Sequence, residues 1–320
     1  MRVDVLKRVA RVGSAVGPVA ACALVIATSL AAPHRAAADG ESEALEKRQR
    51  CATRLSIAML GKSPTAEHLA SADPQAAVGT MLSDAVFVER FASFINSQFN
   101  PEPGEKLADD ASYILAKYVL TNKKPWQEMF VGPYKVTDTV APDANGLGYF
   151  SSKAWMTRYA GNEEAGYRLV SAYRILQNTT GLKLSATTAV EGDDRTAAGR
   201  QAAPCAGCHY TGWFALDKVA KVLSRRQGEG AALTFVPPNE GPQQVLDGKP
   251  YANEKELVTA IVASEDFQFN VCRLAFEFLY GRGESTCEAP VFDECVDAFK
   301  AGGTMQSALE AVAKDPTYCQ

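Results

Sequence analysis

Histidine is scarce in this chain, since its 320 residues contain only His34, His68 and His209. A hydrolase built on a Ser/His/Asp arrangement needs a free histidine as its base, and a zinc site that uses a Cys pair needs a second ligand pair at short spacing. The sequence offers neither arrangement. The shortage of histidine therefore argues against a triad hydrolase and against a zinc domain.

The chain also lacks an excess of basic residues. Its 33 Lys and Arg are outnumbered by 37 Asp and Glu, and the formal net charge is −4. Because nucleic-acid-binding domains carry a basic surface, we expect no nucleic-acid partner. The sequence shows no internal repeat, and no strand-like alternation runs for more than a few residues. These absences favour a mostly α-helical fold.

Long apolar runs are absent except near the N-terminus. A basic stretch over residues 1–11 precedes a run of apolar and small residues over 14–32, and Ala36-Ala37-Ala38 then precedes Asp39. This order is typical of a cleaved signal peptide. The sequence therefore predicts a signal peptide over residues 1–38 and a periplasmic or secreted bacterial protein of about 280 residues. No later segment is apolar enough to span a membrane, so we expect no membrane span in the mature chain.

Two other fates are possible for this N-terminal segment. An apolar run of this length could stay uncleaved as a membrane anchor. Val19-Ala20-Ala21-Cys22 resembles the cleavage box of a lipoprotein, but the strongest apolar run, at 23–27, follows Cys22 instead of preceding it. Lipid anchoring at Cys22 is therefore less favoured than cleavage at residue 38.

The most specific feature is the pentapeptide Cys205-Ala206-Gly207-Cys208-His209. Two cysteines three apart and a histidine directly after them form the attachment site of a c-type haem, in which each thiol adds across one vinyl group. On a helical turn these three side chains share a face, so His209 can reach the iron as its proximal ligand. The alternatives are half of a zinc site, a redox-active CxxC pair, or chance. The motif predicts one covalent haem c, which agrees with the predicted export.

Five cysteines remain outside this motif and the predicted signal peptide: Cys51, Cys272, Cys287, Cys295 and Cys319. In an oxidising compartment these are expected to form disulfides that stabilise the C-terminal region. Because five is odd, at least one thiol is left over. Spacing does not determine the pairing, although Cys287–Cys295 would close a short loop and is weakly favoured.

Helix-start signals and apolar spacing predict helices along most of the mature chain. We expect an irregular multi-helix bundle with long loops around the single haem. The predicted regions are an N-terminal helical region (39–130), a haem-bearing region (131–230), a linker (231–249) and a C-terminal cysteine-rich helical region (250–320). The predicted helices cover residues 43–60, 64–70, 74–82, 85–99, 112–120, 125–130, 167–176, 205–224, 254–263, 266–280, 292–301 and 304–314.

The sixth iron ligand is less clear from the sequence. Met156 is favoured because it follows a glycine-rich loop within the haem-bearing region. Met129, Met305 and an open or water-filled position are the alternatives, whereas His68 lies in a polar helix and is expected to be exposed. An axial Met favours electron transfer, and an open position allows peroxide or gas binding.

Two further groups of residues belong to the same prediction. Arg200 and Arg158 are candidates to bind the haem propionates. At least one aromatic side chain directly after the motif, Tyr210, Trp213 or Phe214, is expected to pack on the porphyrin.

Three segments carry a family resemblance. The first contains Leu60-Gly61-Lys62-Ser63-Pro64-Thr65 and Met81-Leu82-Ser83-Asp84, the second runs over 148–217 with the haem motif and Asp217 at its end, and the third contains Leu279-Tyr280-Gly281-Arg282. Together they resemble the planctomycete-type cytochrome c-associated proteins. The resemblance implies an exported domain that carries haem c and says little about a substrate. The chain departs from that pattern after His209, where the expected proline–glycine loop is missing.

The sequence as a whole therefore predicts an exported monohaem c-type cytochrome that transfers electrons to and from redox partner proteins and has no identified small-molecule substrate. The first alternative is a haem enzyme or sensor with five-coordinate iron, such as a peroxidase, in which His68 would have to be the distal base. A scaffold protein with a vestigial haem is a third possibility, but the motif is intact.

Overall fold

A computed structural model of the chain describes residues 33–100, 110–184 and 192–320. The predicted signal peptide up to residue 32, together with Cys22, lies outside the described residues. Contacts divide the chain into a unit of Met1–Ala44 and a compact unit of Leu45–Gln320. No described helix combines the length and the apolar character needed to cross a membrane.

The described part is mostly helical, which confirms the prediction of a mostly α-helical fold. Short π-helical turns cover Ser56–Leu60 and Gly207–Thr211. The α-helices are α1 (Pro33–Leu55), α2 (Ala66–Ala70), α3 (Val78–Met81), α4 (Ala85–Phe99), α5 (Ala111–Thr121), α6 (Glu128–Val131), α7 (Lys153–Arg158), α8 (Leu169–Thr180), α9 (Leu216–Val222), α10 (Glu254–Val262), α11 (Glu265–Tyr280), α12 (Ala289–Gly302) and α13 (Met305–Lys314).

Capping side chains explain where several helices begin. Asp84 accepts a hydrogen bond from the N–H of Val86, and α4 starts directly after it, as predicted. Asp73 caps the 3₁₀ turn Pro74–Ala77 in the same way, with proline at the first position. The helix predicted over 64–70 begins two residues later than expected, because the Thr65 hydroxyl accepts the hydrogen bond from the N–H of His68 and α2 begins at Ala66.

Three small antiparallel hairpins are the only strands among the described residues: β1 (Tyr134–Val136) with β2 (Val140–Pro142), β3 (Arg225–Gln227) with β4 (Thr234–Val236), and β5 (Gln243–Val245) with β6 (Lys249–Tyr251). The proline-rich segment 231–249, expected to be a linker, therefore contributes β4 and β5 to two hairpins. Each strand has three residues, which is too short for an alternating pattern to stand out in the sequence. The boundaries of the predicted regions stay predictions.

The segment 132–150, which contains β1 and β2, packs tightly on α6. The N–H of Tyr149 donates to the carbonyl of Met129, and Tyr149 and Phe150 are fully buried. Gly148 permits this approach: its φ is +52°, and a Cβ there would lie 2.0 Å from the Met129 carbonyl oxygen. Only glycine is free of both the backbone strain and the collision.

One hydrophobic core receives side chains from every α-helix of the compact unit except α2. It is rich in aromatic side chains: on one side Phe91 contacts Phe278 and Trp126, and on the other Phe130 contacts Tyr149 and Phe267. Edge-on and tilted contacts of this kind stabilise beyond simple burial by about 0.5–1.5 kcal/mol each.

Two disulfides connect distant parts of the chain. Cys51 of α1 pairs with Cys319, and Cys272 of α11 pairs with Cys295 of α12. Cys287 is unpaired and exposed, so the expected Cys287–Cys295 pairing is wrong. The reason is that Cys287 lies in the exposed turn before α12, whereas the buried Cys295 faces α11. The expectation of one left-over thiol is confirmed.

The Cys51–Cys319 pair should contribute measurably to stability. It closes a loop across a sequence separation of 268 residues. Since a cross-link over a long loop restricts the unfolded chain, we expect Cys319→Ser to lower the free energy of unfolding by about 3–5 kcal/mol in urea titrations without reductant. Cys287→Ser is the matched control and should change it by less than about 0.5 kcal/mol. Equal midpoints for both variants would contradict the pairing.

Candidate haem attachment site

The residues of the haem motif lie on one tight turn. The N–H groups of Cys208 and His209 both donate to the Cys205 carbonyl at 3.2 Å, and the N–H of Gly212 donates to the Gly207 carbonyl at 2.7 Å, which closes the π-helical turn. Turns with π-helical hydrogen bonding are frequently found at functional sites.

The predicted continuous helix over 205–224 is wrong. The chain leaves helical geometry at Gly212, passes through Ala215 with a φ of +25°, and starts α9 at Leu216. The break allows α9 to lie beside the motif instead of extending it. As a result, the first turn of α9 faces the side chain of His209.

Asp217 in this first turn of α9 is the partner of His209. The distance from His209 Nδ1 to Asp217 Oδ2 is 2.6 Å, and the Asp217 side chain is only 7% exposed. With Nδ1 bonded to this carboxylate, Nδ1 carries the proton and Nε2 is left as the ring nitrogen with a lone pair. This leaves Nε2 of His209 as the ring nitrogen that is available to bind a metal.

A buried arginine holds Asp217 in place. Arg200 donates from Nε to Asp217 Oδ2 at 3.2 Å and from Nη2 to Oδ1 at 2.8 Å. Its other contacts are with the carboxylate of Glu163, at 3.0 Å from Nη2, and with the carbonyl of Arg195. The hydroxyl of Tyr210 lies 3.1 Å from Asp217 Oδ1. Asp217 is thus bonded on both oxygens.

The electrostatics keep this carboxylate ionised. Burial raises the pKa of Asp217, but the hydrogen bonds from His209 and Arg200 outweigh burial and leave the pKa below its ordinary value of 3.8. Arg200 is one cation shared by two carboxylates, Asp217 and Glu163. Two carboxylates share one cation, so the three side chains together keep a net negative charge near the imidazole of His209.

The side chains present suit a covalently bound haem c. Cys205 and Cys208 are both free thiols, and Cys208 is exposed, whereas four of the other described cysteines are paired in disulfides. Cys205 and Cys208 would form the thioethers, and Nε2 of His209 would bind the iron. A metal-bound histidine commonly donates its other ring N–H to a carboxylate, a backbone carbonyl or water.

The structure gives the predicted propionate partners other tasks. Arg200 is committed to Asp217 and Glu163, and Arg158 forms an ion pair with the buried Asp110 at 3.0 Å. Among the aromatic candidates, Trp213 is 46% exposed and packs edge-on against Phe214. Trp213 also lines a cavity of about 450 Å³ together with Leu246. A large exposed aromatic of this kind is available to cover a bound group.

The candidates for the sixth ligand lie in different environments. Met129 and Met305 are fully buried in the hydrophobic core, and Met156 of α7 is half-buried and packs against it. Glu163, which follows Met156 in the chain, accepts a hydrogen bond from Arg200 through its carboxylate. Met156 as an iron ligand stays a prediction.

His68 is bonded on both ring nitrogens and is half-buried, not exposed as expected. Nδ1 lies 3.1 Å from the Ser56 hydroxyl, and Nε2 lies 3.0 Å from the Pro74 carbonyl. With Nε2 donating and Nδ1 accepting, both nitrogens of a neutral imidazole are used. His68 thus connects two turns of the fold and has no free nitrogen for a ligand or a distal base.

Sequence reasoning missed the carboxylate partner. The sequence places Asp217 only at the end of the segment that carries the family resemblance, and it does not single out Glu163. Asp217 lies eight positions after His209, and its approach depends on the break at Gly212–Ala215, for which the sequence carries no clear signal.

Among the described residues, no cluster of three or more His, Cys, Asp or Glu side chains is arranged to hold a metal ion. No protein-family model, curated protein or solved structure matches this chain. The resemblance to the cytochrome c-associated proteins therefore stays a prediction.

The buried ion cluster makes a testable contribution to stability. Arg200→Gln would leave the carboxylates of Asp217 and Glu163 without their shared cation, and we expect a loss of about 3 kcal/mol in the free energy of unfolding measured in urea. Arg282→Gln is the matched control, because Arg282 also binds both oxygens of one carboxylate, that of Glu288, but its side chain is 52% exposed. That variant should lose less than about 1 kcal/mol. Similar losses in the two variants would contradict the role given to Arg200.

Proposed function

We propose that the protein is an exported monohaem c-type cytochrome that transfers electrons. Haem c would be held by thioethers to Cys205 and Cys208, with His209 as the proximal ligand. The observation that carries the proposal is the pairing of His209 Nδ1 with the buried Asp217 carboxylate, next to two thiols that form no disulfide.

The two thiols of the motif support the proposal. Among the described cysteines four form disulfides, whereas Cys205 and Cys208, like the isolated Cys287, are unpaired. In an exported protein free thiols are expected to oxidise unless they have another use. Thioether formation with the two vinyl groups of haem is the use that the motif indicates.

The orientation of the His209 ring also supports the proposal. The hydrogen bond to Asp217 fixes both the tautomer and the orientation of the ring, so Nε2 points away from the carboxylate. A metal ligand held in this way does not have to reorganise when it binds. When bound, the haem supplies one-electron redox chemistry, and the protein supplies the ligand, the burial and the second-shell hydrogen bonds that adjust its potential.

The exposure of the motif suits electron exchange with a partner protein. Cys208 is exposed and His209 is partly exposed, so a group attached at this turn would keep one edge near the surface. Surface exposure of a haem edge permits outer-sphere transfer between proteins without a substrate pocket. We accordingly propose redox partner proteins and a periplasmic or secreted location.

The five-coordinate haem enzyme receives less support. Such an enzyme would need a distal acid–base group, and His68 was the candidate. Both ring nitrogens of His68 are occupied by Ser56 and Pro74. Electron transfer is therefore the function we favour.

Haem attachment can be tested directly. We expect the chain, when exported in a bacterium that assembles c-type cytochromes, to gain the mass of one haem that survives denaturation. The variant with Cys205→Ala and Cys208→Ala should lose it, because no thiol is left at the motif. Cys287→Ala is the matched control and should keep the haem. A wild-type chain at its bare polypeptide mass would refute the proposed function.

The sixth ligand can be tested in the haem-loaded protein. Met156→Ala should convert a low-spin absorption spectrum into a high-spin one, because the iron would lose its axial sulfur. His68→Gln is the control that should leave the spectrum unchanged. If the wild-type spectrum is already high-spin, the five-coordinate enzyme or sensor becomes the better interpretation.

A further inference from the structure

We propose that Asp217 is a positioning residue that gives His209 partial imidazolate character and thereby lowers the reduction potential of the haem. The inference rests on the proposed function and concerns the regulation of the same site. It starts from the cluster of His209, Asp217, Arg200 and Glu163, which we call the proximal cluster.

The geometry of the proximal cluster favours a strong hydrogen bond. His209 Nδ1 and Asp217 Oδ2 are 2.6 Å apart, and both Asp217 and Arg200 are less than a tenth exposed. A short hydrogen bond to a charged acceptor in a poorly solvated site is stronger than one in water. The proton on Nδ1 is therefore drawn toward the carboxylate.

The charge arrangement keeps the carboxylate effective as an acceptor. If Arg200 faced Asp217 alone, its cation would neutralise the charge that acts on His209. Glu163 shares Arg200 through contacts of 3.0 and 3.3 Å, so part of the negative charge on Asp217 stays available. Glu163 thus contributes indirectly, by occupying the cation.

The consequence concerns the iron. A carboxylate partner raises the basicity of a histidine ligand. A more basic axial ligand stabilises the ferric state relative to the ferrous state, because ferric iron carries the higher charge. We therefore infer that this site is poised toward the oxidised form and suits a low-potential electron carrier.

The rest of the structure holds this arrangement rigidly. Glu163 is connected to the β3–β4 hairpin, since Arg226 donates to the Glu163 carbonyl at 3.3 Å and to the Gly166 carbonyl at 2.8 Å. Gly166 has a φ of +79°, and a Cβ there would lie 2.2 Å from the Arg226 carbonyl oxygen. The acidic partner of Arg200 is thus fixed by backbone contacts and not left to a free loop.

The experiment compares the haem-loaded wild type with Asp217→Asn, which keeps the shape of the side chain and removes its charge. In spectroelectrochemical titrations the variant should have a higher potential, so that at a fixed ambient potential its ratio of reduced to oxidised haem rises about tenfold, or about 59 mV for one electron. Asp217→Glu restores the carboxylate and should bring the potential back toward that of the wild type.

Two further variants separate this role from simpler ones. Asp138→Asn removes the same charge from the exposed turn between β1 and β2 and should leave the ratio within about twofold. If it shifts the potential as far as Asp217→Asn does, bulk charge explains the effect and the inference fails. Glu163→Gln frees Arg200 to neutralise Asp217 and should raise the ratio about threefold, which keeps the inference testable if Asp217→Asn does not fold.

The outcomes distinguish this inference from the proposed function. If no haem is attached to the wild type, the mass measurement shows that the proposed function has failed. If haem is attached but Asp217→Asn, or Glu163→Gln in its place, has the wild-type potential, the positioning role of Asp217 is refuted and the cytochrome assignment stands.

Discussion

The proximal cluster depends on one buried carboxylate, that of Asp217. Asp217 receives hydrogen bonds from His209 and Arg200, and its surroundings keep it ionised although it is almost fully removed from solvent. A buried charge is costly unless every lone pair is satisfied and a counter-charge is close. The positions of Arg200 and of α9 are therefore constrained by the need to satisfy this one side chain.

Helix α9 is held at both ends by buried arginines. Arg200 binds Asp217 in its first turn, and Arg168 donates to the hydroxyl of Ser224 just beyond its last turn, at 2.7 Å. Glu254 of α10 accepts from both Arg168 and Ser224, at 3.2 Å in each case. Seven residues are too few to form a stable helix in isolation. The ionic contacts at each end, and the burial of its apolar face, give α9 a defined position.

The sequence predicted the fold where local signals and tertiary packing agree. The phenylalanines spaced along one face predict α4 with the bounds that the structure has, and the structure shows Asp84 as its cap. The same reasoning failed at the motif, where it extended one helix from Cys205 to Ser224. Among residues 212–215 only Gly212 disfavours a helix. The sequence pattern therefore does not predict the turn at Ala215.

Pairings between distant residues were the other limit of prediction. Cys272 and Cys295 meet because α11 and α12 pack face to face, whereas Cys287 lies closer in sequence but in an exposed turn. In the site itself, the motif identifies the thiols and the imidazole by spacing alone. Asp217 and Glu163 enter through tertiary structure, since carboxylates are common and only their burial and orientation distinguish them.

The chemical nature of the group bonded to His209 matters for the proposed haem site. A backbone carbonyl bonded to the proximal histidine would orient the ring with little added charge, whereas an ionised carboxylate both orients the ring and acts on its electron density. The chain incurs the cost of burying Asp217 and Arg200 together, beside the half-buried Glu163, and replacement of buried ion pairs by apolar residues often stabilises proteins. Under the proposed function, the electrostatic action of this cluster on His209 explains its presence better than stability does, and it connects the position of α9 with the potential of the haem.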